Sequence, residues 1–302
     1  MIIKPRSESL ELKVLRCLNV RTTLTKKEKN YLTNLEKGHI GEVAFDKWLK
    51  NLSLECIVLH DILFETNNTV FQIDTLLLTA DTLYIFEVKN YEGDFYIEKD
   101  LWYTLTKSEI SNPLLQLNRS QSLLNRLLIE HGIHVSVVPY LIFINPNFHL
   151  YQAPLNSPII FPTQLNRFIN TMNNKSSKLS KNHFNLAEKL LSIRLTQSPY
   201  LRLPDYSYEQ IKKGIVCGSC SSFITEFSDG VLICSCGFRE GITPAVIRSV
   251  EEFKVLFPDR KITTSNIQEW CNIVPSRKII NKILRTHYKL MGYGKSSYYS
   301  EY

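Results

Sequence analysis

The chain has 302 residues, 44% hydrophobic and 22% charged, a balance that argues against wholesale disorder and leaves room for about two domains. Its formal charge of +7 permits a polyanionic partner without requiring one. The longest dominantly apolar run, VSVVPYLIFI at 135–144, is about half of what a bilayer-spanning helix needs, and the N-terminal MIIKPRSESLELKVLRCL lacks an apolar core followed by a small-residue cleavage site. The expectations are therefore no membrane partner and a cytoplasmic location.

In chain order, residues 1–35 read as a short helical or irregular lead-in without a clear task. From Gly38, GHIGEVAFDKWLKNL spaces Ile40, Val43, Ala44 and Trp48 as the apolar stripe of a helix that would pack on a sheet. Strand-like runs follow at 54–63, 70–78 and 82–89. NPLLQLNRSQSLLNRLLIEHG then begins a helix with Asn112 as cap and Pro113 at the first position, and ends at Gly132. A buried strand at 135–144 completes an α/β domain over 36–150. Residues 151–211 form a partly helical connector, 212–240 a cysteine module, and 241–302 a basic helical domain.

The pair Glu87 and Lys89, in YIFEVKN, occupies one face of a strand by the period of two. With a two-residue turn at Ala80 and Asp81, the hairpin register sets Asp74 opposite Glu87. Like charges placed so are destabilising unless a cation sits between them. Two carboxylates of this kind can hold Mg²⁺ or Mn²⁺ for phosphodiester hydrolysis, with Lys89 orienting the nucleophile or stabilising charge on phosphorus. Glu42, at the flank of the first helix's stripe, and Gln116, in the first turn of the second helix, could reach the same cleft. The bland alternatives are a solvated Glu-x-Lys face, a surface carboxylate and a near-cap glutamine.

GHIGE at 38–42, QIDTLLL at 72–78, FEVKN at 86–90 and NPLLQLNRS at 112–120 together resemble the motifs of the nuclease-related domain family, NERD, over residues 36–145. That family is similar to restriction-endonuclease-like enzymes of the PD-(D/E)xK type. The resemblance implies a restriction-endonuclease-like mixed sheet with flanking helices. It implies Asp74 and Glu87 as metal ligands, Lys89 as the lysine of the E-x-K triplet, Glu42 as the leading-helix glutamate and Gln116 as the glutamine after the catalytic strand.

Of seven cysteines, Cys217, Cys220, Cys234 and Cys236 cluster, while Cys17, Cys56 and Cys271 are isolated. Two cysteine turns joined by a hairpin through Ser228-Asp229-Gly230 look like a zinc ribbon holding structural Zn²⁺, although the second turn is C-x-C where C-x-x-C is usual. Disulfides and unliganded core thiols are the alternatives. From residue 241 onward ten Lys or Arg stand against five Asp or Glu. ITPAVIRSVEEFKVLF, a short helix opened by a Ser265/Gln268 capping box, and VPSRKIINKILRTHYKL make a helix-turn-helix or winged-helix pattern. Lys278, Lys282, Arg285 and Lys289 would line one basic face of the third helix for phosphate contact, unless that face is simply solvated. GYGKSSYY would supply a wing or a surface for stacking bases. The expected function is metal-dependent hydrolysis of nucleic acid, DNA foremost. The alternative is a non-catalytic binder, or an adaptor that docks on repair or replication proteins.

Overall fold

The computed structural model describes residues 1–274 and 276–302, with Lys295 described by its backbone alone. Pro275, ahead of the third C-terminal helix, and the Lys295 side chain of the candidate wing lie outside the described residues. The chain divides into two compact units, Met1–Glu8 with Asn34–Leu201 and Ser9–Thr33 with Arg202–Tyr302. Among the described residues no helix is long and apolar enough to cross a membrane.

Strand β1 (Ile2–Lys4) and helices α1 (Leu10–Arg21) and α2 (Lys26–Leu49) come first, so residues 1–35 contribute to both units. Helix α2 starts earlier than its apolar stripe suggests. Thr25 and Glu28 cap it reciprocally: Glu28 N–H donates to Thr25 Oγ1 at 3.3 Å, and Thr25 N–H donates to the Glu28 carboxylate at 2.7 Å. The long hairpins β2 (Ile57–Thr66), β3 (Thr69–Leu78) and β4 (Thr82–Lys89) follow. Then come β5 (Gly93–Glu98), β6 (Leu101–Thr104) and β7 (Glu109–Ile110), with α3 (Pro113–Glu130) and β8 (Ser136–Phe143) after them. Strands β9 (Phe148–Tyr151) and β10 (Ile159–Ile160) and helices α4 (Leu165–Asn173) and α5 (Lys181–Ser192) complete this unit.

The main sheet runs β1-β2-β3-β4-β8-β10, antiparallel where β3 meets its two neighbours and parallel elsewhere. Alternation along β4 sends Tyr84, Phe86 and Val88 to one face, against α2 and α4, and Leu83 and Ile85 to the other, against α3 and α5. Two layers of helix thus cover a mixed sheet. A smaller sheet, β7-β6-β5-β9, extends the domain between β4 and β10. Residues 151–201, read from sequence as connector, supply β10, α4 and α5 to these layers.

The stripe expected on α2 differs from the one that packs. Ile40 is 58% exposed and Val43 also faces solvent, whereas Phe45 and Leu49 are buried, with Ala44 and Trp48 at their margin. Gly41 explains the shift. A Cβ there would lie 2.5 Å from Asn90 Cβ, so only glycine lets the helix pass this close to the end of β4.

The second unit contains α1, a three-stranded sheet of β11 (Glu226–Ser228), β12 (Val231–Ile233) and β13 (Arg239–Gly241), and helices α6 (Ile242–Leu256), α7 (Thr264–Cys271) and α8 (Arg277–His287). An antiparallel hairpin of β14 (Lys289–Met291) and β15 (Tyr298–Ser300) closes it. Its core holds Val246, Val250, Phe253, Trp270, Ile280 and Leu284, with Arg21 buried among them. The Arg21 guanidinium pairs bidentately with Glu252 at 2.8 and 2.6 Å, donates to the Lys212 carbonyl, and lies 3.9 Å over the Trp270 ring.

Two local expectations are corrected in this unit. The N-cap of α7 is Thr263, whose hydroxyl accepts from Asn266 N–H, and not Ser265. Helix α8 stops at His287 because Tyr288 is already extended, so Lys289 opens strand β14 and is not on the helix.

Candidate active site and metal-ligand cluster

The β3–β4 hairpin turns through Ala80 and Asp81, and Thr75 pairs with Phe86, Leu76 with Ile85 and Leu77 with Tyr84. Continuing this register brings Asp74 beside Glu87. Asp74 Oδ2 accepts the Val88 N–H at 2.8 Å, which fixes the carboxylate across the strand boundary. On the other side of β3, Asp61 interrupts the β2 ladder with φ 51° between the pairs His60–Thr75 and Ile62–Ile73. The interruption shifts the alternation by one residue. Ile57, Leu59, Ile62 and Phe64 of β2, and Phe71, Ile73, Leu76 and Leu78 of β3, all reach the same core. A non-glycine residue in the left-handed region inside a strand is strained, and here it lies next to the candidate site.

Glu87 is only 4% exposed. Its Oε1 accepts from Lys89 Nζ at 2.7 Å and from Gln116 Nε2 at 2.6 Å, and Gln116 Oε1 accepts from Lys89 Nζ at 3.0 Å. The three side chains therefore form a closed triangle. Gln116 reaches it from the first turn of α3, whose start is set by Asn112 Oδ1 accepting the Leu114 N–H at 2.9 Å. With Lys89's side chain 17% exposed, the pair is not the solvated face that spacing alone allowed.

Glu42 enters from α2, carried to the strand end by the close approach at Gly41 and by Asn90 Nδ2 donating to the Lys37 carbonyl at 2.8 Å. Burial, followed by repulsion from Asp74, pushes the Glu42 carboxyl up to about 7. Burial and then Asp74 push Glu87 up to about 8, against the opposing pull of Lys89. Asp74 is raised as well, chiefly by burial. Burial draws the Lys89 ammonium down, but Glu87 and Asp74 outweigh it and the net shift is upward.

All five residues singled out in this domain, Glu42, Asp74, Glu87, Lys89 and Gln116, thus lie near one another around the end of β4. The carboxylates are not gathered into a tight cage: among the described residues only the four clustered cysteines bring three or more metal-ligating atoms within 4.8 Å of one another. Two carboxylates are nonetheless a donor set of the chemical kind Mg²⁺ uses, since it binds through one or two carboxylates and keeps several waters. The mutual repulsion at Asp74 and Glu87 is the state such an ion would relieve.

Sequence reasoning missed Arg6, Asp46, His60 and Asp61. Arg6 Nη1 donates to Glu42 Oε2 at 2.8 Å, and its Nε donates to Asp46 Oδ2 at 2.8 Å. Asp46 could have been found, because it stands four residues after Glu42 and so on the same helix face. Arg6 could not, because only the pairing of β1 with β2 carries it there.

In the second unit, the Sγ atoms of Cys217 and Cys236 lie 3.8 Å apart and those of Cys220 and Cys234 3.5 Å apart. These distances are far beyond a disulfide bond of about 2.05 Å. They match the separation of about 3.8 Å that four sulfurs about 2.3 Å from a tetrahedral Zn²⁺ would have. The hairpin between the cysteine turns reverses at Asp229 and Gly230, both with positive φ, as a two-residue strand connection requires. Hydrogen bonding from Ser222 draws the Cys220 thiol down to about 6, while Cys236, although lowered by the Phe238 backbone, is pushed up to about 12 by hydrogen bonds to Cys220, Cys234 and Cys217, so the four thiols share their protons unevenly. Lys278, Lys282 and Arg285 of α8 and Lys289 of β14 are all exposed, opposite the buried Ile280, Ile283 and Leu284. Tyr293 is also exposed, in the connection of the β14–β15 hairpin.

Residues 37–144 match the nuclease-related domain family, NERD. The chain therefore contains a nuclease-related domain, and the match takes in the whole Glu42, Asp74, Glu87, Lys89 and Gln116 constellation. No curated protein and no solved structure matches the chain significantly.

Proposed function

We propose that the first unit is a restriction-endonuclease-like, divalent-metal-dependent phosphodiesterase acting on nucleic acid, DNA foremost. The observation that carries this reading is the buried Asp74–Glu87 pair on adjacent strands, with Lys89 hydrogen-bonded to Glu87, inside a nuclease-related domain. Asp74 and Glu87 would hold Mg²⁺ or Mn²⁺, which would supply polarisation of the phosphodiester and a lowered pKa for an attacking water. Lys89, kept protonated by Glu87, places a positive charge where negative charge builds on phosphorus. Gln116 holds Lys89 and Glu87 in register and has the polar reach to position a water or a backbone oxygen. Glu42 completes the acidic wall.

In the second unit, Cys217, Cys220, Cys234 and Cys236 would hold structural Zn²⁺ in a ribbon-like module. Four protein ligands leave no open position for a substrate. Lys278, Lys282, Arg285 and Lys289 would contact phosphates and add affinity without sequence choice. A second reading, a non-catalytic nucleic-acid binder or an adaptor for repair or replication proteins, draws support from the cysteine cluster and the basic face, since neither depends on the acid pocket. The location expected for either is cytoplasmic.

The test is cleavage of labelled linear, single-stranded and branched DNA by Mg²⁺-free protein with and without added Mg²⁺ or Mn²⁺, beside Asp74→Ala and Lys89→Ala. Cleavage that requires the added ion and is lost in both variants supports hydrolysis. Undiminished, metal-independent DNA binding with no cleavage of any substrate moves the conclusion to the binder.

A further inference from the structure

We propose that the β14–β15 hairpin is a base-stacking site for an unpaired DNA strand, with the Tyr293 ring as its platform and the basic face of α8 tracking the phosphates beside it. The ligand class rests on the phosphate-contact reading of α8, which it narrows from nucleic acid in general to strands with exposed bases. Residues 277–300 hold six Lys or Arg and no Asp or Glu. Other acids of this unit are already matched: Glu240 with Arg248, Glu251 with Lys254, Glu252 with Arg21 and Glu269 with Lys213. Lys278, Lys282, Arg285 and Lys289 are exposed, and among the described residues none of them is in an ion pair.

The hairpin is fixed alongside that face. Tyr299 is 5% exposed, its N–H donates to the Ile262 carbonyl at 2.8 Å, and its hydroxyl accepts from Asn281 Nδ2 at 3.2 Å. Asn281 adjoins Lys282 and lies one helical turn from Lys278 and Arg285, so the hairpin flanks the cations of α8. The Tyr298 ring is already covered by Lys261, whose Nζ lies 4.8 Å from its centroid. Tyr293 differs from both, being 94% exposed. It stands between Gly292 and Gly294, at φ 73° and 61°, so neither chain neighbour carries a side chain that could cover the ring. Ser296 Oγ donates to the Tyr293 carbonyl at 2.9 Å, which ties down the backbone and leaves the ring bare.

Unpaired strands are held by positive charge along the backbone and by aromatic rings on which bases stack. The hairpin and α8 supply the two parts side by side. In a duplex both faces of an internal base are covered by its neighbours, so the Tyr293 ring gains only from a base that is unpaired or terminal. An apolar protein partner would cover the ring but leave the acid-free stretch unmatched, whereas a polyanion with exposed bases answers both.

The experiment is fluorescence anisotropy of labelled DNA with the full chain, zinc-loaded, in buffer without Mg²⁺ or Mn²⁺ so that binding is read apart from cleavage. The probes are a single strand, an abasic strand of equal length and a long duplex. The natural chain is expected to bind the strand with bases about tenfold tighter than the abasic one, the size of one base stacked on an aromatic ring. Tyr293→Ala should erase that preference while leaving duplex binding and the salt slope of log K unchanged, and Tyr293→Phe should keep it. Replacing Lys278, Lys282 and Arg285 by alanine should instead weaken both strands alike and lower the slope. Equal binding of the two strands by the natural chain overturns the proposal, as does a preference that survives Tyr293→Ala or is lost in Tyr293→Phe, or an equal loss on the duplex. If the strands bind equally and the slope still falls in the triple variant, the phosphate reading of α8 stands and the stacking site alone fails. Absence of salt-dependent binding to any probe overturns both.

Discussion

Two buried carboxyl groups, Asp74 and Glu87, and the partly buried Glu42 repel one another and should make the ion-free first unit lose stability as pH rises. Glu42 moves from an ordinary 4.5 to about 7 and Glu87 from 4.5 to about 8 on folding, so the folded protein holds protons that the unfolded chain has released. That stabilisation is complete below about pH 4.5 and is lost as pH climbs through 7 to 8. For Glu42 alone the loss is about 3 kcal/mol at 1.36 kcal/mol per unit. At about 2–4 °C per kcal/mol for a unit of 150–250 residues, Tm should fall by about 6–12 °C. Glu87 deepens the fall, though not additively, because both groups feel the same Asp74 charge. Differential scanning calorimetry between about pH 5 and pH 8, in buffer freed of Mg²⁺ and Mn²⁺ without stripping zinc, measures the slope. Adding Mg²⁺ should restore stability at the alkaline end more than at the acid end, since only ionised carboxylates bind it. A Tm that is flat or rising with pH, or a slope unchanged in Asp74→Asn, refutes the electrostatic account of this pocket.

Gly41→Ala should destabilise the first unit by about 1–3 kcal/mol in chemical denaturation and weaken Mn²⁺ binding, because the new Cβ pushes α2, and Glu42 with it, away from Asn90. Arg21→Met should cost about 3–5 kcal/mol by leaving Glu252 unpaired, and Arg21→Met/Glu252→Leu should recover much of that loss in the same denaturation assay. Cys234→Ser, or removal of metal with a strong chelator, should unfold the cysteine module, seen as loss of one zinc per chain by atomic spectroscopy and of amide protection around β11 to β13. Replacing Lys278, Lys282 and Arg285 together by alanine should weaken DNA binding and lower the salt slope of log K by about 3, roughly one for each lost phosphate contact.

The five pocket residues and the four clustered cysteines were readable because each signal is local. A two-residue turn sets the hairpin register, a strand period of two puts Glu87 and Lys89 on one face, and Asn112-Pro113 starts the helix that carries Gln116. Short spacing likewise brings the paired cysteine turns together once the Asp229-Gly230 reversal forms. The Thr25-Lys-Lys-Glu28 box that begins α2 is just as local a signal, but the apolar stripe alone set the expected start of the helix near Gly38, and its true length was missed. What sequence did not reveal depends on the approach of distant segments. The packed face of α2 runs through Gly41, Phe45 and Leu49 instead of Ile40 and Val43, because the contact is decided by how closely backbone can approach Asn90. Lys289 leaves the basic helix because a hairpin with Tyr298–Ser300 captures it. Arg6 shows the division most clearly. Nothing in RSESL distinguishes it from a surface arginine, and only the parallel pairing of a three-residue strand with β2 delivers its charge to three carboxylates from α2 and β2. Local periodicity and turn chemistry therefore determined which residues could meet, while long-range packing decided which charges they meet and at what distance.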